Sequence, residues 1–309
     1  MAAGTKDQGS VVTIGNFDGV HLGHQQIIQE CIRQARSRGL RALAFTFRPH
    51  PQSVLRPDRA PSLLLEYDEK REVLLSLGVD EVVEQGFDAS FAETTAEDFF
   101  RAILRERLDA RAIVVGYDFS FGRGRTGHLQ ILESLCASEG VTLTVVPPQR
   151  VGAEVVSSSV IRTHLDSGRL SEATAGMGRP FFYTGVVRQG DQRGRVMGFP
   201  TANLAVEPGS GRKLVLPFGV YATRLTTDGL ERVAGVTNVG IRPTFARADG
   251  GLAPVLVETH VLEGTHDLYG REVRVEFLAR IRGEQRFSSM AELQAQISAD
   301  IARARQILV

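Results

Sequence analysis

Two histidines flank a Leu-Gly pair near the start of the chain, in the run Gly15-Asn16-Phe17-Asp18-Gly19-Val20-His21-Leu22-Gly23-His24. Imidazoles at this spacing can donate hydrogen bonds to phosphate oxygens as charge develops on them. Gly23 between them allows the backbone to come close to a ligand. The pattern also resembles half of a metal site, but no downstream His, Cys or Glu cluster completes one. A second group, Ser157-Ser158-Ser159-Val160-Ile161-Arg162, sets three hydroxyls and an arginine at a predicted helix start. Free N–H groups and a guanidinium there suit the outer phosphates of a nucleotide, although such serines also cap helices for stability alone. A third group lies between Gly116 and Arg125 and includes Asp118, Phe119, Phe121 and Gly122. Taken alone it reads as a flexible basic loop.

The second half offers different chemistry. Gly194-Arg195-Val196-Met197-Gly198-Phe199-Pro200-Thr201-Ala202-Asn203 combines two glycines, an arginine and a rigid proline. A glycine-rich flap can bring backbone N–H groups onto phosphates. Thr201 and Asn203 offer neutral oxygen ligands that suit Mg²⁺ on nucleotide phosphates. The plainer reading is a β-turn with an Asn cap. Glu258, in Val257-Glu258-Thr259-His260, sits on a β-rich run and can take a proton from a substrate hydroxyl if it faces a pocket. A solvent-facing strand glutamate is the commoner case. There is no G-x-x-x-x-G-K-[ST] and hence no P-loop.

These residues need elements to hold them. Val11–Phe17 is an apolar, β-branched run ending in a turn signal. Helical spacing follows from Leu22 through Ile27, Ile28, Cys31, Ile32 and Ala35, with Gly39 as the stop. Ala42–Phe47, Glu81–Phe87, Ala112–Tyr117 and Thr142–Pro147 read as further strands. Helices are predicted near Asp68–Leu77, Ala96–Leu108 and Gly127–Ser138. This alternation predicts a parallel sheet with helices on both faces, and ligands beyond the carboxyl ends of its strands. The first and third of these groups fall at such ends. From Phe181 the pattern changes to short β-rich runs cut by glycine and proline: Phe182–Arg188, Gly219–Thr226, Arg232–Val239, Val255–Leu262 and Val273–Ile281. A small antiparallel barrel or sandwich is expected. A terminal helix follows, with Ser289 and Glu292 as a capping box. The division falls at residues 1–180 and 181–309.

Composition adds boundaries. Lys plus Arg equals Asp plus Glu at 36 each, which gives no general attraction to nucleic acid or to anionic membrane. Lys6, Lys70 and Lys213 are the only lysines. Cys31 and Cys136 form no C-x-x-C and read as buried thiols. Without a signal core or a long apolar span, a cytoplasmic protein is expected.

The order and spacing of these segments, from Val11 to about Ala304, resemble the prokaryotic bifunctional riboflavin kinase/FMN adenylyltransferase (FAD synthetase) family. The resemblance implies an α/β plus β fold: a Rossmann-like nucleotidyltransferase domain, then a six-stranded antiparallel β-barrel with a terminal helix. It implies that His21 and His24 hold ATP phosphates and stabilise adenylyl transfer. Gly15, Asn16, Phe17, Asp18 and Gly23 line that site, and Ser157, Ser158, Ser159 and Arg162 supply a second phosphate signature. The Asp118–Gly122 loop, with Phe119 and Phe121, and Asn203 are implied flavin contacts. Gly194, Arg195, Gly198 and Thr201 are implied ATP contacts of the barrel, and Thr201 and Asn203 the Mg²⁺ ligands. Glu258 is implied as the base on the riboflavin 5′-hydroxyl. ATP, riboflavin and FMN are the expected small-molecule partners, and flavins are both substrate and product.

The chain departs from the family pattern in places. Ser159 stands where threonine is usual, and Val160 where a basic residue is frequent, removing one phosphate contact. The Leu262–His266 stretch lacks an aromatic that the family often carries, and the lead before Val11 is short. Two rivals therefore stay open on the sequence. One is a kinase whose first domain adenylylates another phosphate or none; the other is a flavin-binding regulator without catalysis.

Overall fold

Strand β1 (Ser10–Ile14) forms because Val11, Val12 and Ile14 are β-branched and fully enclosed. It belongs to a computed structural model that describes residues 9–188, 199–206, 212–241, 255–264 and 266–309. The chain divides into two compact units at Ser158/Ser159.

In the first unit, β1 is followed by α1 (Leu22–Arg38), β2 (Arg41–Arg48), α2 (Pro51–Leu55), α3 (Tyr67–Ser76), β3 (Glu81–Gly86), α4 (Ala89–Ala92), α5 (Ala96–Asp98), β4 (Ala110–Gly116), α6 (Leu129–Ser138) and β5 (Thr142–Val146). A small hairpin of β6 (Arg150–Val151) and β7 (Glu154–Val155) closes the run. The strands form one parallel sheet in the order β3-β2-β1-β4-β5. β1 is central, so its carboxyl end lies at the switch of strand order where α/β sheets bind ligands. One face of the sheet buries Phe45, Phe99, Phe100, Leu104 and Ile113, and the other buries Val11, Cys31, Ala35, Ala42 and Val114. Both cysteines are buried, and burial pushes the Cys31 thiol up to about 12 and Cys136 to about 11.

The helix α1 ends as its sequence predicts. Gly39 takes φ 66° and its N–H closes onto Ala35 and Arg36 carbonyls. The predicted helix over Ala96–Leu108 differs in kind: after α5 it continues as a π-helix through Phe99–Arg107. The first strand stops at Ile14 rather than Phe17, because Phe17 takes φ 48°.

The second unit begins with most of α7 (Ser158–Asp166), then α8 (Leu170–Met177), β8 (Phe181–Val186), β9 (Ala202–Val206), β10 (Gly219–Thr227), β11 (Leu230–Ile241), β12 (Val255–Val261), β13 (Glu272–Gly283) and α9 (Met290–Leu308). Helix α8 packs on β8 and β13 and so lies with this unit, ahead of the 180/181 boundary read from the sequence. The strands form an antiparallel sheet in the order β8-β13-β10-β11-β12-β9. A bridge from Arg188 to Asn203 brings the two ends together, giving a nearly closed six-stranded barrel. Tyr183, Tyr221 and Phe277 fill it with edge-to-face contacts. β9 had no strand reading of its own in the sequence.

Ser289 caps α9 by accepting from Glu292 N–H at 3.2 Å. The Glu292 carboxylate turns to the N–H and hydroxyl of Ser288, at 3.0 Å each, so only half of the predicted capping box forms with Ser289.

Candidate active sites

Between β1 and α1 the chain passes through three residues at positive φ: Phe17 (48°), Gly19 (78°) and Val20 (38°). Backbone strain of this kind persists only where neighbours over-determine it. The neighbours are specific. The Phe17 ring fills the space beside Gly15, where a Cβ would lie 2.9 Å from it. Gly19 abuts Leu64, and a Cβ there would fall 2.6 Å from Leu64 Cδ1. The buried Asp18 carboxylate accepts from Leu64 and Leu65 N–H at 2.9 and 3.4 Å. Ser158 Oγ donates to the Asp18 carbonyl at 2.9 Å.

That turn delivers His21 to the N-cap of α1. Its Nδ1 accepts from His24 N–H at 3.3 Å, so the neutral ring carries its proton on Nε2. The two imidazoles stack with centroids 3.6 Å apart and planes 18° from parallel. Phe17 meets His24 edge-on at 5.4 Å. Gly23 suits this packing, since a Cβ would stand a tight 3.2 Å from the His21 ring and the ring would have to give. Two ring edges and the positive end of a 17-residue helix thus share one corner of the sheet. The loop after β4 leaves the same edge, because β4 lies parallel beside β1. In it Phe119 and Phe121 stack at 5.4 Å. Gly122 takes φ 71° and sits where a Cβ would press 2.8 Å against Ala96 N.

Sequence reasoning missed Lys70. Its ammonium is buried and donates to Asn16 O (3.2 Å), Thr46 Oγ1 (2.9 Å) and Phe47 O (3.2 Å). Burial lowers its pKa to about 8. The one available signal was rarity, a lysine in an arginine-dominated chain.

In the second unit, β12 alternates. Val255, Val257 and Thr259 point into the barrel, while Leu256, Glu258 and His260 line a cavity of about 720 Å³. Glu258 is paired with Asn203 of β9 on one side and Asn238 of β11 on the other. Directly opposed residues share a sheet face, so an amide–carboxylate–amide row faces the cavity. Asn238 was not singled out in the sequence. Asn203 Nδ2 donates to Thr201 O at 3.1 Å and approaches Thr201 Oγ1 at 3.4 Å. Its Oδ1 is buried without a hydrogen-bond partner among the described residues. An orphaned acceptor is unfavourable until a cation or donor arrives. Thr201 borders a second cavity of about 370 Å³ that Thr259, Asp267 and Tyr269 also line.

The far wall of the larger cavity is held by charge. Arg282 of β13 donates to Asp300 of α9 through Nε at 3.0 Å and Nη2 at 2.8 Å. Gln296 also donates to Asp300 at 2.9 Å.

The structure therefore gathers Gly15, Asn16, Phe17, Asp18, His21, Gly23, His24 and Ser158 around one turn, and Thr201, Asn203 and Glu258 around one cavity. Ser157 precedes α7; Ser159 and Arg162 lie on α7 within the second compact unit. Gly194, Arg195 and Gly198 lie outside the described residues. Among the described residues no His, Cys, Asp or Glu cluster of three could hold a metal, so the Mg²⁺ expectation rests on the neutral oxygens of Thr201 and Asn203.

A histidine-bearing helix start in one unit and a carboxylate-lined barrel cavity in the other are the two candidate sites. Residues 4–160 match the family model for FAD synthetase, and residues 177–308 that for riboflavin kinase. The bifunctional riboflavin kinase/FMN adenylyltransferase of Escherichia coli (strain K12) is 39% identical over 300 residues, covering 97% of this chain and 93% of that one. The Bacillus subtilis (strain 168) protein of the same description is 33% identical over 293 residues, covering 94% and 90%. A crystal structure from Streptococcus pneumoniae, described as a macrolide-efflux protein, superposes with TM-score 0.84 at 31% identity, covering 97% and 95%. The chain belongs to the bifunctional riboflavin kinase/FMN adenylyltransferase family. Among the described residues no helix is long and apolar enough to cross a membrane.

Proposed function

We propose that residues 181–309 phosphorylate riboflavin to FMN with ATP, and that residues 1–180 join FMN to the adenylyl group of a second ATP, giving FAD and pyrophosphate. The observation that carries the reading is the Asn203–Glu258–Asn238 row facing one cavity, in a chain whose two parts match the two family models in turn.

In the barrel, Glu258 accepts the proton of the riboflavin 5′-hydroxyl as that oxygen attacks the γ-phosphorus. Asn203 and Asn238 flank it and hold the hydroxyl and phosphate in line. Thr201 Oγ1 and Asn203 Oδ1 are the residues that would hold Mg²⁺. The orphaned Asn203 oxygen fits such a hard cation, which would neutralise charge on the nucleotide phosphates. Gly194, Arg195 and Gly198 complete the ATP side of the proposal.

In the first domain, a phosphate oxygen of FMN attacks the α-phosphorus of ATP, and the bond to pyrophosphate breaks. His21 and His24 donate to the oxygens that gain charge, and the N-terminus of α1 adds its positive end. Ser157, Ser158, Ser159 and Arg162 receive the outer phosphates. Asp118, Phe119, Phe121 and Gly122 line the flavin side. The proposed setting is cytoplasmic, with ATP and flavins as partners and neither nucleic acid nor membrane.

The test is a chromatographic time course with riboflavin, ATP and Mg²⁺, resolving riboflavin, FMN and FAD. FMN that rises and then converts to FAD supports both halves. FMN that accumulates without FAD, even when supplied directly, removes the adenylyltransferase half.

A further inference from the structure

The loop Asn16–Gly19 and the segment Leu64–Lys70 are fastened to one another in both directions. Asp18 of the loop accepts backbone N–H groups of Leu64 and Leu65. Lys70 of the segment donates to the backbone carbonyl of Asn16. A carboxylate and an ammonium, each buried to within a few per cent of full enclosure, thus hold opposite polarities of the other's main chain.

Lys70 does more than mirror Asp18. An ammonium has three N–H donors, and three acceptors are present: Asn16 O, Thr46 Oγ1 and Phe47 O. Thr46 Oγ1 itself donates to Asn16 O at 3.2 Å. The acceptors come from two places, the turn after β1 and the end of β2. One charge therefore ties the turn to the neighbouring strand. A compact ammonium can aim three rotatable donors at such a cluster, whereas a planar guanidinium cannot. Burying a charge is unfavourable unless every donor is met, and an apolar residue would fill the space without that cost. It would leave the Asn16 and Phe47 carbonyls without their lysine donor.

We infer that Lys70 is a positioning residue for adenylyl transfer: its ammonium locks the turn Asn16–Val20 against β2 and so fixes the stacked His21–His24 pair. This rests on reading the first domain as the adenylyl-transfer site. Lys70 acts through the turn. The strained φ values of Phe17 and Val20 lie in a turn held at Asn16 by Lys70 and at Asp18 by Leu64 and Leu65 N–H. Loss of the Lys70 contact lets those residues relax and moves the imidazoles off the line of developing charge, an error to which catalysis is steeply sensitive.

The experiment compares the full-length protein with Lys70→Met and Lys70→Arg. Hydrogen exchange of the peptide spanning residues 15–25 reads the turn directly, and FMN and FAD formation are assayed on the same samples. Lys70→Met is expected to speed exchange in that peptide and to lower kcat for FAD formation by about tenfold or more. The KM for ATP should move less, and FMN formation should stay within twofold. Lys70→Arg keeps the charge but not the three-way aim of an ammonium, so it should fall with Lys70→Met rather than recover the FAD rate. Unchanged exchange, unchanged FAD formation, or an equal fall of both activities each overturns the inference. If the parent protein forms no FAD, the adenylyl-transfer reading fails separately, and the exchange result alone then decides whether Lys70 holds the turn.

Discussion

Glu258 and Asn203 stand directly opposite each other on adjacent antiparallel strands, β12 and β9, with Asn238 opposite Glu258 on the other side. The carboxylate is thereby flanked by two amides on one sheet face, at the wall of the larger cavity. A carboxylate so placed can accept a proton, and its flanking amides can orient a hydroxyl.

Replacing Glu258 by Gln keeps the shape and removes the proposed base. FMN formation should fall by about 10²–10⁴-fold, while FAD formation from supplied FMN stays within twofold. A fall of less than threefold in FMN formation would remove Glu258 from the role.

The histidine pair predicts the complementary separation. His21→Ala and His24→Ala should each lower FAD formation by about 10²-fold or more, in the range of a lost oxyanion donor, with FMN formation spared. His21 also caps α1, so its alanine variant should lose about 1 kcal/mol of stability as well. His21→Asn restores a cap and separates the two effects: stability returns and the FAD rate does not.

Lys70 gives the first unit a specific response to alkaline pH. Burial is the main cause of its lowered pKa, with Arg48 of β2 lowering it further; Asp18 of the turn and Glu84 of β3 act in the other direction. Tyr67, on its own helix, lies with its ring centroid 5.4 Å from the ammonium. The unfolded side chain holds its proton up to the ordinary value of 10.5, and the folded one only to about 8. Between these values folding releases a proton, so this group's contribution to stability rises with pH. Below about pH 8 the full unfavourable contribution, about 3 kcal/mol, is present. The stability difference between the parent and Lys70→Met should therefore shift toward the parent as pH rises from 8 to 10.5. Calorimetric unfolding of both proteins across that window checks it, and a flat difference would contradict the titration.

Asp300 predicts a stability effect confined to the second unit. Its carboxylate is 3% exposed and takes two hydrogen bonds from Arg282 Nε, one from Arg282 Nη2 and one from Gln296. Asp300→Ala strands a partly buried guanidinium and should lose roughly 3 kcal/mol. Because the pair forms a wall of the larger cavity, the KM for riboflavin should rise as well, while FAD formation from FMN is retained. Thermal unfolding and the two assays read this together.

Much of the fold was legible because the sequence states it locally. The β-branched run at Val11, the 3.6-residue spacing from Ile27 to Ala35 and the stop at Gly39 each act within a few residues. The histidine pair was legible for the same reason. What escaped depends on distant pairing. β9 is short and polar at Asn203, and only its ladder with β12 makes it a strand. Asn238 gains meaning from its register with Glu258, which no local pattern reveals. Lys70 sits in an ordinary helix, and its three acceptors come from chain segments more than twenty residues away. The π-helix at Phe99–Arg107 has no sequence mark that we can identify.

Strand β12 carries two commitments at once. Its odd residues complete the barrel interior, where Thr259 joins a chain of buried hydroxyls through Thr237 to Thr223 at 2.9 and 2.7 Å. Its even residues present Glu258 and His260 to the cavity. A slip of one residue would exchange the two sets, driving a carboxylate into the core and turning a valine or threonine toward the cavity. Selection acting on flavin phosphorylation must then act on strand alignment too. Insertions and deletions here should be barred more strictly than substitutions, and loss of turnover should be an early sign that the barrel has been threaded wrongly.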